Sequence, residues 1–400
     1  MTQSITRRLL LQGAAAASLM PAAPPLVLAQ AAPIRLGPLV PLTGAGGSYG
    51  PIMARAMRAV VDDVNAAGGV LGRRVELSVE DDQTNPEPGV RAARKLIDVD
   101  KVSAIVGTWA SSVTTAVAPL CWESKTFLAT VSGADSITLL PHQGYIARTQ
   151  PNTTLQGRKF GEFALEQGAK RVFFVSPQTP FQKSQFDNIT LAVKAKGGET
   201  GALIYDDKKP SYRSEVDEIL RFRPDALILG GYAPDTTVLL RDLFRAGFQG
   251  RKIAFGYSVN QKLVESLPAD VVQNIFTISP SSDEASGAYA RLVKLIGVAN
   301  PDPYTTQVYD QVNLILMAIA AAKDSSGTAI RDTLRKVSQA PGGAKVDNAI
   351  DGLKAIAAGQ AVDYEGASGP CDFLDSGDIT DSRFRYEQVR DGKIALVKIA

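Results

Sequence analysis

The stretch IRLGPLV at residues 34–40, followed by PLTGAGGSYG at 41–50, decides the fold. Seven mostly apolar residues predict a buried β-strand, and the glycine-rich segment after it predicts a tight turn. Residues 51–67 then place apolar side chains at helical spacing, and the helix is predicted to end at Gly68 and Gly69. This order begins a strand–helix–strand unit, whose strands run parallel in one sheet.

The alternation of strands and helices continues along the chain. Before residue 150, strands are predicted at 75–79, 102–106 and from 126, and helices at 88–99 and from 111. Beyond residue 150, strands are predicted at 171–175, 226–229 and 253–255, and helices at 155–167, 182–196, 212–222 and 236–246. This pattern predicts an α/β fold with parallel sheets, and its length predicts two Rossmann-like lobes. Ligands bind such sheets at the carboxyl ends of the strands, so two facing lobes would enclose one cleft.

The segment 383–400 has a different pattern. Two runs at 383–389 and 394–399 are separated by RDGK at 390–393. Asp-Gly between strand-like runs is a strong hairpin signal, so an antiparallel hairpin is predicted here.

Composition excludes several function classes. The 43 basic and 41 acidic residues leave a net charge of +2, which argues against a nucleic-acid binder. One histidine and two cysteines cannot form a common Cys/His zinc site. The histidine, His142, lies in LPHQG at 140–144, which predicts a solvated loop without a catalytic role. Cys121 and Cys371 either form one disulfide or are two buried thiols.

Residues 1–31 have the features of an export signal. A paired arginine in TRRLLL at 6–11 precedes an apolar run at 13–20 and small residues at 29–31. This predicts a signal peptide of the twin-arginine type, cleaved near Ala31 and directing the protein to the periplasm. The alternative is a membrane anchor, but prolines interrupt the apolar stretch. No later segment has 18 uninterrupted apolar residues, so a soluble mature protein is expected.

The glycine-rich turn also suggests an enzyme. Gly44, Gly46 and Gly50 approximate a dinucleotide-binding motif, and EDD at 80–82 ends the next strand, where a ribose-binding acid would lie. The spacing G-x-G-x-x-x-G departs from that motif, so an NAD(P)-dependent oxidoreductase using Gly44–Gly50 is kept as an alternative. The acidic pair Asp81 and Asp82 is interpreted as a solvated strand end rather than a metal site.

Two segments after neighbouring strands favour an anion site. GTWASS at 107–112 joins a strand to a helix, whose free N–H groups and dipole attract a carboxylate, and Ser111 adds a hydroxyl. Serine there is also a common helix cap. VSGADS at 131–136 follows the next strand, where Asp135 would accept a ligand ammonium or hydroxyl, or cap a helix.

Aromatic residues follow three strands of the second half. They lie in QTPF at 178–181, GGY at 230–232 and GYS at 256–258. Aromatic side chains with a polar tip suit a small-molecule cleft, although each also suits core or hinge packing.

Several short motifs occur in a characteristic order: PLTG at 41–44, NAAGGV at 65–70, EDD at 80–82, IVGT at 105–108 and GGY at 230–232. Together they resemble the periplasmic leucine/isoleucine/valine-binding protein family, the type I solute-binding proteins of ABC importers. The resemblance implies two lobes joined by three crossovers near residues 150, 281 and 383. Residues 32–150 with 282–382 would form one lobe, and 151–281 with 383–400 the other.

The resemblance also implies a binding site, with the ligand carboxylate at Ser111. The residues expected to contact the ligand are Tyr49, Trp109, Ser111, Ala134, Asp135, Phe181, Tyr232 and Tyr257. Two departures from the family matter. Asp135 replaces a threonine that holds the amino-acid head, and the acid that pairs with the α-ammonium falls on Tyr257 or Ser258 and is absent. Either Asp135 replaces that acid, or the ligand is an acid without an ammonium, such as an aromatic carboxylate.

The expected function is therefore a periplasmic receptor without catalysis, metal or cofactor. It would act as a monomer, capture a small carboxylate-bearing solute, and deliver it to an ABC permease in the inner membrane. A sensory module that passes the same signal to a membrane receptor is the second alternative, because it would share the fold and the cleft.

Overall fold

The computed structural model of the protein describes residues 32–400. The predicted signal peptide lies outside the described residues. Within them, no helix combines the length and the apolar character that crossing a bilayer requires.

The first lobe is built on a parallel sheet in the order β2-β1-β4-β5-β6, with β3 also pairing to β1. Its strands are β1 (Ile34–Val40), β2 (Val75–Leu77), β3 (Glu80–Asp81), β4 (Ala104–Thr108), β5 (Phe127–Thr130) and β6 (Ile146–Arg148). Its connecting helices are α1 (Gly50–Ala66), α2 (Pro86–Arg94), which continues as a π-helix over Lys95–Val99, and α3 (Ser111–Ser124). Strands β4 and β5 are buried along their whole length because helices cover both faces.

The second lobe has its own parallel strands in the order β11-β10-β9-β7-β8. These are β7 (Arg171–Pro177), β8 (Glu199–Tyr205), β9 (Ala226–Leu229), β10 (Arg251–Phe255) and β11 (Phe276–Pro280). The helices are α4 (Thr153–Glu166), α5 (Pro180–Lys194), α6 (Arg213–Phe222), α7 (Ala233–Arg245), α8 (Gln261–Ser266) and α9 (Ala269–Val272).

After β11 the chain returns to the first lobe. The added elements are α10 (Gly287–Ile296), α11 (Pro303–Ala322), α12 (Gly327–Ser338), β12 (Ala344–Val346), α13 (Ala349–Ala357) and β13 (Val362–Tyr364). The central one is α11, which packs against α1, α12 and α13 and is buried on every face from Tyr304 to Ala320. Asp302 caps its start by accepting hydrogen bonds from the Tyr304 and Thr305 N–H groups at 2.9 and 3.1 Å.

The chain then crosses back and completes the second sheet with a hairpin. Strand β14 (Phe384–Arg390) pairs antiparallel with β11, and β15 (Lys393–Ile399) pairs antiparallel with β14. Asp391 and Gly392 both have positive φ, as a two-residue Asp-Gly turn requires. The α/β class and the hairpin are confirmed, and the chain passes between the sheets after β6, after β11 and before β14.

Two expectations about rare residues are settled by burial. His142 was predicted on a solvated loop, and this is wrong: it is buried, and its Nδ1 accepts a hydrogen bond from the Gly144 N–H at 3.2 Å. Burial lowers the pKa of this histidine. Of the two alternatives for the cysteines, the structure has Cys121 and Cys371 as separate buried thiols.

Candidate functional site: an aromatic cavity between the lobes

The carboxyl ends of the two sheets face each other across a cavity whose empty volume, counted together with its opening to solvent, is about 360 Å³. Its first-lobe and crossover lining is Trp109, Ala110, Ser111, Val131, Gly133, Gln150 and Tyr304. Its second-lobe lining is Thr179, Phe181, Gln182, Tyr232 and Tyr257. Five of the eight predicted site residues line it, namely Trp109, Ser111, Phe181, Tyr232 and Tyr257. None of these lining residues has a charged side chain.

Trp109 is the centre of an aromatic cluster in this cavity. Its ring stacks on Tyr49 at 5.5 Å, and it meets Tyr304 edge-on at 5.6 Å. From the second lobe, Tyr232 approaches at 5.7 Å and Tyr257 edge-on at 5.8 Å. Burial raises the pKa of Tyr232 and of Tyr257, so both phenols are neutral and their hydroxyls are able to donate hydrogen bonds. The cavity wall thus consists mainly of apolar ring faces, and the tyrosine hydroxyls add a few polar groups.

The N-terminus of α3 forms the polar end on the first-lobe side. The N–H groups in the first turn of a helix have no partner within the helix, and the N-cap residue here, Ala110, supplies no side-chain acceptor for them. Ser111 lines the cavity at this end, and its Oγ accepts a hydrogen bond from the Ala134 N–H at 3.2 Å. An uncapped 14-residue helix with a hydroxyl in its first turn suits a carboxylate. The hydrogen bond between them brings the predicted residues Ser111 and Ala134 together. Ala134 itself does not line the cavity.

Buried hydroxyls hold together the rim of the first lobe, meaning the ends of β4 and β5 and the start of α3 that border the cavity. Thr108 Oγ1 donates to Thr130 Oγ1 at 2.8 Å, which joins the ends of β4 and β5. Ser132 Oγ donates to the Trp109 carbonyl at 2.9 Å and lies 2.5 Å from Thr114 Oγ1 on α3. These bonds hold the segments that present Trp109 and Ser111 in one arrangement.

A buried ion pair supports the same rim, and sequence reasoning missed it. Arg148, at the end of β6, is fully buried and pairs with the carboxylate of Asp378. The guanidinium also donates to the Ala134 carbonyl at 2.7 Å and to Thr138 Oγ1 at 2.9 Å. The segment around Ala134 is therefore tied to a region that lies far away in the sequence.

Asp135, a predicted ligand contact, does not line the cavity. Its carboxylate accepts hydrogen bonds from the Thr154 N–H and Oγ1, both at 3.0 Å. Two further donors come from α5, with Ser184 Oγ at 3.0 Å and Asn188 Nδ2 at 2.8 Å. These four donors already occupy the carboxylate, so the geometry gives no support to Asp135 as the partner of a ligand ammonium.

Two glutamines in the wall were also missed. Gln150 Oε1 accepts from Gln307 Nε2 at 2.7 Å, which leaves the Gln150 amide N–H groups for a ligand. Gln182 Nε2 donates to the Gly230 carbonyl and, at 2.6 Å, to the Tyr257 hydroxyl. The available signal was position, because Gln182 follows Phe181 at the start of a predicted helix and Gln150 lies at a predicted crossover.

The glycine-rich turn is explained by packing. A Cβ on Gly44, which has positive φ, would lie 2.2 Å from the Gln83 carbonyl oxygen, and one on Gly46 would lie 2.8 Å from the Trp109 ring. A Cβ on Gly50 would lie 2.1 Å from the Pro41 carbonyl oxygen. The glycines thus let the turn close on itself and on its neighbours, and this geometry does not favour the dinucleotide interpretation.

Asp82 was predicted at a solvated strand end, and this is wrong. The residue is fully buried, and its Oδ1 accepts a hydrogen bond from the Thr84 N–H at 2.7 Å. Gly89 on α2 lies next to Asp82. Because Gly89 has no side chain, α2 can pack closely against α3 at this point. Burial raises the pKa of Asp82 to about 6.

Residues 33–392 match the family model described as periplasmic binding protein. The leucine-, isoleucine-, valine-, threonine-, and alanine-binding protein of Pseudomonas aeruginosa is 24% identical over 309 residues, which is 74% of this chain and 80% of that protein. The Leu/Ile/Val-binding protein BraC3 of Rhizobium johnstonii is 28% identical over 217 residues, which is 53% of this chain and 58% of that protein.

Solved structures share the fold along nearly the whole chain. The leucine-binding protein LivK from Thermotoga maritima superposes with a TM-score of 0.78 at 20% identity, covering 92% of this chain and 98% of that one. A solute-binding protein of an R. palustris ABC transporter, in complex with 4-hydroxybenzoate, superposes with a TM-score of 0.75 at 19% identity. That match covers 92% of this chain and 96% of the other.

Proposed function

Since the chain belongs to the periplasmic binding protein family, we propose that it captures a small aromatic carboxylic acid for an ABC importer. In this role it acts in the periplasm, performs no chemistry on its ligand, and delivers it to a permease in the inner membrane. The observation that carries the choice of ligand is the uncharged aromatic lining beside the uncapped start of α3.

The carboxylate of the ligand binds at the N-terminus of α3. The first-turn N–H groups and Ser111 Oγ supply donors, and the helix dipole stabilises the negative charge. The carboxylate of an aromatic acid is ionised near neutral pH, so the ligand binds as an anion without a change of protonation.

The ring of the ligand fits between flat aromatic side chains. Trp109 from the first lobe and Phe181, Tyr232 and Tyr257 from the second line the cavity. Aromatic faces and edges favour each other beyond the area they bury. Such a ligand gains contacts with both lobes.

An amino acid is disfavoured because the lining of this cavity offers no carboxylate for its ammonium. Among residues 32–400, no Asp or Glu lines the cavity, and the nearest predicted candidate, Asp135, is bound to four donors elsewhere. A charge that is buried without a partner is costly. In line with this choice, one structural neighbour, the R. palustris protein, was crystallised with 4-hydroxybenzoate.

Capture involves closure of the two lobes around the ligand. The chain crosses between the sheets three times, which provides a hinge, and the aromatic contacts of Trp109 with Tyr232 and Tyr257 span the cleft. An open form would separate these rings and admit the ligand. The closed form is the one that a permease would recognise.

The test is isothermal titration calorimetry on purified residues 32–400, with benzoate, leucine and phenylalanine as ligands. We expect benzoate to bind and Ser111→Ala to weaken binding at least tenfold, because one hydrogen bond to a charged group contributes about 1.5–3 kcal/mol. The control is Ser112→Ala, which alters the neighbouring serine that does not line the cavity, and should change affinity less than twofold. Binding of leucine but of no aromatic acid would overturn the proposal.

A further inference from the structure

Gln182 in the second-lobe wall has a buried acceptor without a donor. The residue lines the cavity and is 3% exposed. Its Oε1 has no hydrogen-bond partner among residues 32–400. Buried polar atoms of native proteins nearly always have a partner, so an unpaired oxygen at a cavity wall points to a group that the ligand supplies.

The orientation of this amide is fixed by its neighbours. The Gly230 carbonyl oxygen accepts a hydrogen bond from the amide, and a carbonyl only accepts, so Nε2 must be the atom that faces it. Nε2 also donates to the Tyr257 hydroxyl at 2.6 Å. That hydroxyl directs its own proton to the Gly230 carbonyl at 3.4 Å, so it does not serve Oε1. Oε1 therefore remains the free acceptor.

A second unpaired polar atom belongs to the same neighbourhood. A Cβ on Gly230 would lie 2.8 Å from Gln182 Oε1 and 2.9 Å from the Cβ of Ser176, so both side chains lie beside Gly230, the residue that follows β9. The Oγ of Ser176 is buried and also lacks a partner. Of these two residues only Gln182 lines the cavity, so its Oε1 is the acceptor that a ligand hydroxyl would meet.

We propose that Gln182 is the specificity-determining residue of the cavity and selects aromatic acids that have a ring hydroxyl. The inference rests on the proposed function, since the carboxylate is placed at α3 in the first lobe and the hydroxyl then lies toward Gln182 in the second. A ring without a hydroxyl leaves Oε1 unpaired, and sites built around a polar partner reject analogues that lack it.

The test compares ligands of matched size on purified residues 32–400 by calorimetry. The probes are benzoate, 3- and 4-hydroxybenzoate, and 3- and 4-methylbenzoate, in which the methyl group replaces the hydroxyl. We expect the better hydroxybenzoate to bind at least tenfold more tightly than benzoate and than its methyl counterpart. Tenfold corresponds to about 1.4 kcal/mol. This comparison needs no variant, so a folding defect cannot obscure it.

Gln182→Met should then reduce the hydroxyl-to-methyl ratio to about two or less while benzoate still binds. The matched control is Gln185→Met, one turn further along α5, which alters another buried glutamine without hydrogen-bond partners that does not line the cavity. It should leave the ratio unchanged.

The outcomes separate the two proposals. If no aromatic acid binds, the proposed function falls and this inference falls with it. If aromatic acids bind but hydroxyl and methyl ligands have equal affinity, only the inference is overturned, because Oε1 is then paired by something other than the ligand, such as water. A ratio that persists in Gln182→Met also overturns the inference.

Discussion

Trp109 is the residue on which the two lobes meet. Four aromatic rings surround it, two from the first-lobe side and two from the second lobe, and the side chain is 7% exposed. Its backbone carbonyl is held by Ser132 Oγ, so the ring has a fixed position at the end of β4. Trp109 also lines the cavity, so we expect a bound ligand to contact it.

Because of this position, the fluorescence emission of Trp109 should change when a ligand binds. The chain has two tryptophans, and the other, Trp122, lies on α3 away from the cavity. We expect a bound aromatic acid to change the tryptophan emission of the unaltered protein and of Trp122→Phe, but not that of Trp109→Phe. Fluorescence titration measures this. An emission change that survives in Trp109→Phe would place the ligand elsewhere.

Asp82 predicts a pH dependence of stability. Burial raises its pKa to about 6 in the folded protein, against 3.8 for the ordinary group. Between these values the unfolded chain releases the proton while the folded protein keeps it, so the free energy of unfolding falls as pH rises from about 4 to 6. Asp82→Asn removes this dependence. The free energy of unfolding of Asp82→Asn, minus that of the unaltered protein, should therefore rise by roughly 2–3 kcal/mol between about pH 4 and 6. Urea unfolding at a series of pH values measures this difference.

Asp81 provides a control of opposite sign. Its burial, which acts to raise the pKa, is outweighed by hydrogen bonds from Thr43 and Gln83, and the pKa is lowered. The stability that its carboxylate contributes is therefore present above the unfolded pKa and lost as the pH falls. Asp81→Asn should lose stability relative to the unaltered protein at neutral pH and recover it in acid. A pH-independent effect of both substitutions would contradict the assignment.

At the scale of elements, α11 organises the first lobe. It is buried on all faces, and Asp310 in its middle accepts hydrogen bonds from Tyr364 Oη at 2.8 Å and from the N–H groups of Ala367 and Ser368 at 2.8 and 2.7 Å. This carboxylate holds the segment that follows β13 against the helix. The same segment continues to Asp378, the partner of Arg148 behind the binding rim.

Asp310→Asn should destabilise the fold strongly. An amide in place of the carboxylate exchanges an accepting oxygen for a donor that faces N–H groups, so buried donors lose their partner. We expect a loss of about 2–4 kcal/mol in the free energy of unfolding. Asp375→Asn, an exposed change in the same segment, should alter it by less than about 0.5 kcal/mol. Equal midpoints in urea for Asp310→Asn and the unaltered protein would refute this role.

At the scale of the whole molecule, the sequence predicts what local patterns encode. The run at 34–40, the glycine turn and the Asp-Gly hairpin each have a short-range signal, and the structure has the corresponding elements. The cavity end formed by Trp109 and Ser111 follows because strand ends of a parallel sheet share one edge.

Other features depend on contacts that no local pattern contains. Arg148 and Asp378 are 230 residues apart in sequence, and the burial of Asp82 is decided by helices that pack over it. A helix like α11, buried all round, lacks the one-sided apolar stripe by which helices are recognised. Gly230 and Tyr257 accept the hydrogen bonds that orient the Gln182 amide, and these residues come close to Gln182 only in the folded chain.

The position of β14 in the second sheet has a consequence for biosynthesis. Strand β11 is made first, but its antiparallel neighbour leaves the ribosome only after the chain has traversed everything from α10 to β13. Until then, β11 presents an unpaired edge that is prone to association with other chains. Neither lobe is a continuous stretch of sequence, so neither is completed early in translation. The second sheet is therefore completed only when the hairpin at the end of the chain docks, and until then the free edge of β11 is its most exposed site for mispairing.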